Sequence, residues 1–160
     1  DGAVGLEHPA GRQQPGAGEG VVGRKALELV PRVVNGVDSS RVAMLLAVLE
    51  RRCGLALSAF DVYVSTVGGI RLTEPAADLA IALAVASARR EKALDAHLAA
   101  IGEISLAGEI RAVSGAPQRA AEAARLGYTS IVDASSLHLR EAVRLAFASA
   151  HDEKVDVPDF

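Results

Sequence analysis

The sequence is poor in cysteine and in aromatic residues, and these shortages exclude several classes of protein. Its single cysteine, Cys53, excludes an internal disulfide framework and a zinc site with four cysteine ligands, and it fits a reducing compartment. No apolar run reaches about 18 residues, so we predict no membrane span. Asp1–Gln14 also lacks the apolar centre of a signal peptide, and we therefore expect a cytoplasmic protein.

The apolar content is sufficient for one folded domain. The chain has 160 residues, of which 50% are apolar and 23% charged, and its formal net charge is −3. A chain of this length buries roughly 68–70% of its unfolded surface, and the near-average charge content excludes wholesale disorder. The small net charge argues against nucleic-acid binding over the whole surface but is compatible with a local basic patch.

Hydrophobic periodicity and turn residues predict an α/β (α+β) domain in which helices pack on a mixed sheet. Residues 1–25 are rich in Gly, Pro and Gln and predict a loop or disordered lead-in. Asp38 and Gly54 are the expected caps of the first helix, since a carboxylate accepts from free amides and glycine adopts left-handed backbone at little cost. The predicted elements are a helix over Ser39–Arg52, a strand over Phe60–Val67, a helix over Ala76–Arg90 that Pro75 begins, a hairpin of Ala99–Leu106 with Glu109–Val113, a helix over Ala116–Leu126, a strand over Tyr128–Val132, a helix over Leu137–Ala148 capped by Ser135 or Ser136, and a strand over Val155–Val157.

Two features of these elements matter for a site. Asp78 lies one turn into the most apolar helix, where a buried carboxylate needs partners. It is either a structural acid satisfied by backbone amides or an arginine, or a residue of a functional site or subunit interface. The apolar stripes predict a core of Val42, Leu45, Leu46, Leu49, Val62, Val64, Leu79, Leu83, Ile101, Ile104, Leu106 and Ile131.

Short motifs carry little chemistry here. Gly18–Gly23 matches the glycine pattern of a dinucleotide-binding loop, but no strand precedes it and Arg24-Lys25 is out of register for a Walker A loop, so we interpret it as a flexible loop. Cys53 lies on an apolar helical stripe, which favours a buried thiol over a nucleophile. No metal site is predicted, because ligand spacing is lacking among His8, His97, His138 and His151.

The basic residues are unevenly distributed. Residues 11–52 hold seven basic residues against four acidic ones, whereas residues 91–160 hold seven against eleven. A basic N-terminal portion can contact phosphates. The alternative is a solvated surface with ordinary ion pairs, and charge alone favours this alternative.

Five blocks of sequence carry a resemblance to a known family. They are Arg32–Glu50, Asp61–Val64, Val67–Ala80, Ile101–Val113 and Arg119–Gly127. In this order, and almost without gaps over residues 32–148, they resemble the C-terminal domain of the bacterial RadA (Sms) family of DNA repair proteins. Asp1–Pro9 also resembles the junction after that family's ATPase core.

The resemblance implies a fold. The C-terminal domain of this family is similar to the proteolytic domain of Lon proteases, which implies a ribosomal protein S5 domain 2-like architecture. Residues 1–31 would then be a lead-in and residues 32–160 the Lon-like domain. The family has a longer segment before Pro31, with a strand, where this chain has only Glu28–Pro31; either a strand is absent or a piece is missing.

The resemblance also implies what the parent protein carries. Full-length family members have a zinc finger and a RecA-like ATPase core, and this chain has neither four cysteines nor GxxxxGK[ST]. ATP, Mg and zinc are therefore expected only in other parts of the parent, with no cofactor in this domain. The implied partners are DNA, further copies in a ring that is hexameric in the parent, and a RecA-type recombinase, with no membrane. The apolar surface of Ala76–Ala88 and of nearby loops is the expected place of self-association.

The alignment with Lon leaves no protease site. A Lon-type site needs a serine nucleophile and a neutral lysine base. The nucleophile position corresponds to Ala76, and the lysine position corresponds to Pro117. Neither residue can take part, so the resemblance implies a domain without catalytic residues.

Two functions from different classes follow. The first is a non-proteolytic scaffold and DNA-contacting domain of a RadA-type ATP-dependent recombination and branch-migration protein. The alternative is a degenerate Lon-type hydrolase or peptide-binding domain that uses Ser65 or Ser114. The lack of Trp and of a helix-turn-helix signature argues against base reading, so DNA contacts are expected to phosphates. The DNA-binding candidates are Arg24, Lys25, Arg32, Arg41, Arg71 and Arg111.

Overall fold

The computed structural model describes residues 4–5, 21–24, 33–66 and 70–149, which form an α/β fold as predicted. Within these ranges the helices are α1 (Ser39–Cys53), α2 (Asp78–Arg90), α3 (Ala116–Arg125) and α4 (Leu139–Ser149), with short 3₁₀ turns at Pro75–Ala77 and Ala134–Ser136. The strands are β1 (Val4–Gly5), β2 (Val21–Arg24), β3 (Val33–Asn35), β4 (Phe60–Thr66), β5 (Leu98–Ala100), β6 (Glu103–Ile104), β7 (Ile110–Arg111) and β8 (Ser130–Val132).

β4 is the central strand of the main sheet. β1 and β2 run antiparallel to it along one edge, where Val21 pairs with Tyr63 and Arg24 pairs with Phe60. β3 runs parallel to it along the other edge, where Val33 also pairs with Tyr63. Two small sheets complete the mixed arrangement: β5 and β8 are parallel, and β6 and β7 form an antiparallel hairpin.

Part of the predicted lead-in is sheet. The prediction of a loop or disordered segment over residues 1–25 is wrong for Val4–Gly5 and Val21–Arg24, whose backbones pair with β4. Two adjacent valines suit a pleated edge, and pairing satisfies the hydrogen-bonding groups of β4. The flexible-loop interpretation is therefore wrong for Val21–Gly23. Gly18–Gly20, Glu28–Pro31 and Val155–Val157 lie outside the described residues, and the division of the chain at residue 31 stays a prediction.

The first predicted helix is confirmed together with both of its caps. The Asp38 carboxylate accepts from the Arg41 amide at 2.8 Å, and Gly54 ends α1 in left-handed backbone with φ of 67°. Hydrogen bonds from the Ser40 hydroxyl and the Arg41 amide lower the pKa of Asp38. The predicted stripe of Val42, Leu45, Leu46 and Leu49 is buried against the core.

α2 is the most deeply buried helix that the structure describes. Leu79, Ile81, Leu83 and Val85 are each at most 1% exposed, and the helix packs against both α1 and α4. Its largest apolar side chains pack inside the chain, and self-association through Ala76–Ala88 and nearby loops stays a prediction.

The predicted hairpin is shorter than expected, and its first run is divided between two sheets. Leu98–Ala100 pairs with β8, whereas Glu103–Ile104 pairs with β7. The chain turns between them at Gly102, whose amide donates to the Ala76 carbonyl and whose carbonyl accepts from the Leu79 amide, both at 3.1 Å.

Three of the predicted core residues are less buried than expected. Leu106 was predicted to be buried but lies at the tip of the hairpin and is 76% exposed, so that prediction is wrong. Ile101 and Ile131 are half-buried. A strand pattern that continues into a tight turn cannot distinguish the last strand residue from the first turn residue.

The last helix begins two residues later than predicted. Leu137 has φ of 51° and ψ of −46°, a backbone conformation outside the α-helix, so α4 begins at Leu139. Ser135 and Ser136 belong to the preceding 3₁₀ turn and do not cap α4. The Asp133 carboxylate caps that turn instead, because it accepts from the Ser135 amide at 2.9 Å.

Candidate functional site

Asp78 is a buried carboxylate that three elements share. It lies in the first turn of α2 and is 1% exposed. Its Oδ1 accepts from Arg41 Nε of α1 at 2.5 Å, and its Oδ2 accepts from Arg41 Nη2 at 2.6 Å and from the Ile104 amide of β6 at 3.0 Å. These partners fit the structural interpretation, in which an arginine and a backbone amide satisfy the acid.

Arg41 is therefore engaged inside the fold. Its guanidinium also lies 3.6 Å from Oε1 of Glu103, and its side chain is 30% exposed. The hydrogen bond to Asp78 stabilises the charged form and raises the pKa of Arg41 above its usual value. Nε and Nη2 of Arg41 already contact carboxylates, so among its guanidinium nitrogens only Nη1 is left to bind a DNA phosphate.

The other described candidates lie near Arg41: Arg111 pairs across the β6–β7 hairpin with Glu103, the residue that Arg41 also contacts, and Arg71 precedes Leu72, whose amide donates to the Gly36 carbonyl before α1. Arg71 and Arg111 are exposed, and Arg111 Nη2 lies 3.9 Å from Glu109 Oε2. The backbone of Arg24 lies at the end of β2, where it pairs with Phe60. Lys25 and Arg32 lie outside the described residues.

Sequence reasoning missed a group of basic side chains at the ends of three helices. We call Arg52, Arg89, Arg90, Lys92 and Arg140 the helix-end cluster. Arg52, Arg89 and Arg90 are in the last turns of α1 and α2, Lys92 lies two residues after α2, and Arg140 is in the first turn of α4. Arg140 Nε donates to the Arg52 carbonyl at 2.8 Å. The charged groups of Arg90 and Lys92 lie 4.7 and 5.7 Å from the centre of the Phe147 ring, which joins the end of α2 to α4.

Cys53 lies within this group. The thiol is half-buried, and burial raises its pKa, while the positive charges of Arg140 and Arg90 act in the opposite direction. Arg140 reaches the end of α1 directly, since its Nε bonds the carbonyl of the neighbouring Arg52. The buried-thiol prediction is confirmed in part, since the side chain is not fully enclosed.

A cleft opens beside the cluster. It has a volume of about 420 Å³ and is lined by Gly54, Leu55, Ala56, Arg89, Arg90 and Glu91. Arg89 lies along it, with Nε donating to the Ala56 carbonyl at 2.9 Å and the guanidinium 4.4 Å from the centre of the Phe60 ring. The sequence did contain a signal for this basic group, since Arg51-Arg52 and Arg89-Arg90 end two predicted helices. That Arg140 lies beside them follows only from the packing of the helices.

The two positions that correspond to the Lon dyad lie in neighbouring segments. Ala76 is in the turn before α2 and is 9% exposed, whereas Pro117 is exposed in the first turn of α3. An ion pair between Glu74 and Arg119 joins the two segments. A methyl group and a pyrrolidine ring neither attack a carbonyl nor accept a proton, so these positions supply no catalytic group.

No serine in the described ranges is arranged as a nucleophile. Ser65 and Ser114 are exposed, and no histidine or lysine nitrogen of the described residues is hydrogen-bonded to a serine hydroxyl. In the same ranges, no group of three or more His, Cys, Asp and Glu side chains is placed to hold a metal ion. No helix there is long and apolar enough to cross a membrane.

A family model and several curated proteins match this chain. The model described as subunit ChlI of Mg-chelatase matches residues 45–136, more than half of the sequence. The chain belongs to that family. The match covers α2 and the end of α1 that carries Arg52, so it includes most of the helix-end cluster.

The curated relatives are DNA repair proteins. This chain is 54% identical over 101 residues to DNA repair protein RadA of Mycolicibacterium smegmatis, covering 63% of the chain and 22% of that protein. It is 52% identical over 98 residues to RadA of Mycobacterium tuberculosis (61% and 20%) and 49% identical over 100 residues to RadA of Streptococcus pyogenes (62% and 22%). The match thus spans about a fifth of the length of these relatives. The predicted resemblance to RadA proteins is confirmed, whereas the similarity to Lon stays a prediction.

Proposed function

We propose that this chain is a non-proteolytic scaffold and DNA-contacting domain of a RadA-type DNA repair protein. The observation that carries the proposal is the similarity to RadA proteins, 49–54% identical over about 100 residues. In this proposal, other parts of the parent protein carry out ATP hydrolysis and branch migration and bind Mg and zinc. The parent acts in the cytoplasm as a ring, together with DNA and a RecA-type recombinase.

Two observations support a scaffold rather than a hydrolase. Ala76 and Pro117 lack the groups that a serine–lysine dyad requires. The Asp78 carboxylate, two residues after Ala76, is held by Arg41 and the Ile104 amide, so it serves the packing of α1, α2 and β6. Apolar side chains that could meet a second copy lie outside α2, with Leu106 and Leu137 exposed by 76% and 65%.

A chimera tests the proposed function. The matching 101-residue stretch of RadA from Mycolicibacterium smegmatis is replaced by that of this chain, and survival after DNA damage is measured in a strain that lacks its own copy. The chimera should restore survival to within about tenfold of the native gene, while RadA lacking the stretch should not. A chimera that accumulates normally but gives no more survival than the truncated protein would refute the proposal.

A peptidase assay tests the alternative. The unmodified chain is incubated with labelled casein and with fluorogenic peptides, with an active serine protease as the positive control. We expect no cleavage above the rate without protein. Cleavage that a serine-directed inhibitor abolishes would favour a degenerate hydrolase.

A further inference from the structure

We infer that α3, together with the glycines on either side of it, is a hinged arm that opens independently of the rest of the domain. The arm comprises residues 115–127, and an ion pair between Arg119 and Glu74 holds it closed. The inference concerns the motion of one element, and it is independent of the DNA contacts in the proposed function.

The first argument is that α3 buries little apolar surface. Among its ten residues Ala123 is the buried one, at 9% exposed, and Ala116 and Ala120 are half-buried. These alanines are spaced four and three residues apart, so they lie on one face of the helix. Each has a single methyl group to bury, whereas α2 buries seven side chains, among them Leu79 and Ile81. The apolar face of α3 therefore attaches it to the domain only weakly.

The larger apolar side chains that follow α3 are only partly packed. Leu126 and Tyr128 are 47% and 40% exposed. The backbone is fixed again directly after them, where the amides of Thr129 and Ser130 donate to the His97 carbonyl at 3.1 and 3.2 Å. This places the end of the arm between the last turn of α3 and the start of β8.

The second argument is that a glycine in left-handed backbone stands at each end of the arm. Gly115 has φ of 69° and Gly127 has φ of 96°. A glycine is a common stop at the end of a helix, so Gly127 alone indicates little. Gly115 is at the N-cap position, where a serine, threonine or aspartate usually supplies a capping side chain, and no side chain caps α3 there.

Both glycines have open space around them. Among the described residues, a Cβ at Gly127 would meet no atom within 4 Å, and a Cβ at Gly115 would meet only Oε1 of Gln118 at 3.8 Å. Close packing therefore explains neither glycine. Because glycine adopts a wide range of backbone angles at little steric cost, these two positions can absorb the change in direction when the arm opens.

The ion pair between Arg119 and Glu74 acts as the latch of the arm. Arg119 Nη2 donates to Glu74 Oε2, and its Nε donates to the Ser114 carbonyl at 3.2 Å. Glu74 directly precedes the turn Pro75–Ala77 that leads into α2, so the pair ties the arm to the most deeply buried helix. The two side chains are 41% and 63% exposed. Salt therefore weakens the pair, and a charged group of a neighbouring protein can compete for either side chain.

Hydrogen exchange of the whole chain, followed by nuclear magnetic resonance, tests the inference. The amides of Ala120–Arg125 should be protected at least about a hundredfold less than those of Ile81–Val85 in α2, because a local opening costs less free energy than global unfolding. Low concentrations of urea should accelerate exchange in α2 but hardly in the arm, since a local opening exposes little surface. Equal protection of the two helices, or an equal dependence on urea, would overturn the inference.

Charge variants test the latch. Arg119→Gln should raise the exchange rate of the arm about twofold to fivefold, the range expected for the loss of an exposed ion pair. Arg119→Glu places two carboxylates opposite each other and should raise the rate further. Glu74→Arg/Arg119→Glu restores the pair with its charges reversed, so its arm should exchange within about twofold of the wild type. Exchange in α2 should stay unchanged in all three variants, and circular dichroism establishes that each is folded.

Arg125→Glu is the matched control, because it makes the same change of charge on the same helix. It breaks the pair with Glu122 inside α3 and should raise the exchange rate of the arm by about fivefold at most, and Glu74→Arg should not reverse this effect. If Glu74→Arg corrects Arg119→Glu no better than it corrects Arg125→Glu, the ion pair is not the latch and the inference is wrong. If Arg119→Glu accelerates exchange in α2 as much as in the arm, α3 belongs to the cooperative core and the inference fails as well. Acceleration confined to the arm and reversed by Glu74→Arg supports it.

Discussion

Replacement of Arg41 by alanine should destabilise the fold by about 3–5 kcal/mol, the usual cost of removing one partner from a buried ion pair. Asp78 is 1% exposed and accepts three hydrogen bonds, of which the Arg41 guanidinium supplies two. In Arg41→Ala the carboxylate keeps only the Ile104 amide at 3.0 Å. The 30% exposure of Arg41 lets water reach part of the gap, which places the expected value at the lower end of that range.

Asp78→Asn is the informative comparison. It keeps an acceptor for the Ile104 amide, and the remaining cation of Arg41 can turn toward Glu103 and solvent. The expected loss is about 1.5–3 kcal/mol, the contribution of hydrogen bonds to a charged group. Because Arg41→Ala/Asp78→Asn removes both charges, its cost should fall below the sum of the single costs by about 0.5–3 kcal/mol.

Urea unfolding followed by circular dichroism measures these free energies, since the chain has no tryptophan to report by fluorescence. The reasoning predicts that Arg41→Ala is less stable than Asp78→Asn. A loss under 1 kcal/mol for Arg41→Ala, or strictly additive single and double variants, would show that the pair does not hold α1, α2 and β6 together.

Five further predictions concern other parts of the fold. Leu46→Ala should cost about 2–5 kcal/mol in urea unfolding, because Leu46 is 3% exposed; a cost below about 1 kcal/mol would contradict its burial. Burial raises the pKa of Cys53, so iodoacetamide should label the folded thiol more slowly than the urea-unfolded one, and equal rates would contradict this. Because the pKa of Cys53 is raised, the folded state favours the neutral thiol. This contribution to stability is present below pH 9.0 and is lost as the pH rises through the folded pKa. Cys53→Ser should remove this effect from the pH dependence of unfolding. Leu137→Gly should raise stability by about 1 kcal/mol, because it relieves φ of 51° at a side chain that is 65% exposed; a lower melting temperature would argue against strain there. Ala76→Ser/Pro117→Lys should give weak casein cleavage at best, and robust cleavage would indicate an intact oxyanion site.

Local chemistry made α1 predictable. The Asp38 cap, the stripe that includes Leu45 and Leu49, and the Gly54 stop are all determined within a few residues of sequence, and each is present in the fold. The same holds for the helix that Pro75 begins. Its first turn is a 3₁₀ turn, and Asp78 begins the α-helix proper.

Non-local pairing was less accessible from the sequence. β2 is four residues long and follows a glycine-rich segment, so nothing local distinguishes it from a loop until β4 pairs with it. The need of Asp78 for a partner followed from its place in an apolar helix, but its partner Arg41 is 37 residues away. Choosing among 14 arginines requires the packing of α1 against α2.

The helix-end cluster shows the same limit for surface charge. Counting charge along the chain favoured the N-terminal portion, because residues 91–160 have more acids than bases. Arg140 belongs to that acidic portion, yet folding places it against Arg52. Charge density along the sequence therefore misses a surface that three distant segments build together.

Nuclear magnetic resonance of the ¹⁵N-labelled chain, titrated with duplex DNA at low salt, tests the central claim most directly because it locates the contact by residue. The account predicts that shifted amide signals and arginine Nε signals concentrate around the candidates Arg41, Arg71 and Arg111, and that they return as salt is added. No shifts at low salt, or shifts that do not respond to salt, would contradict it.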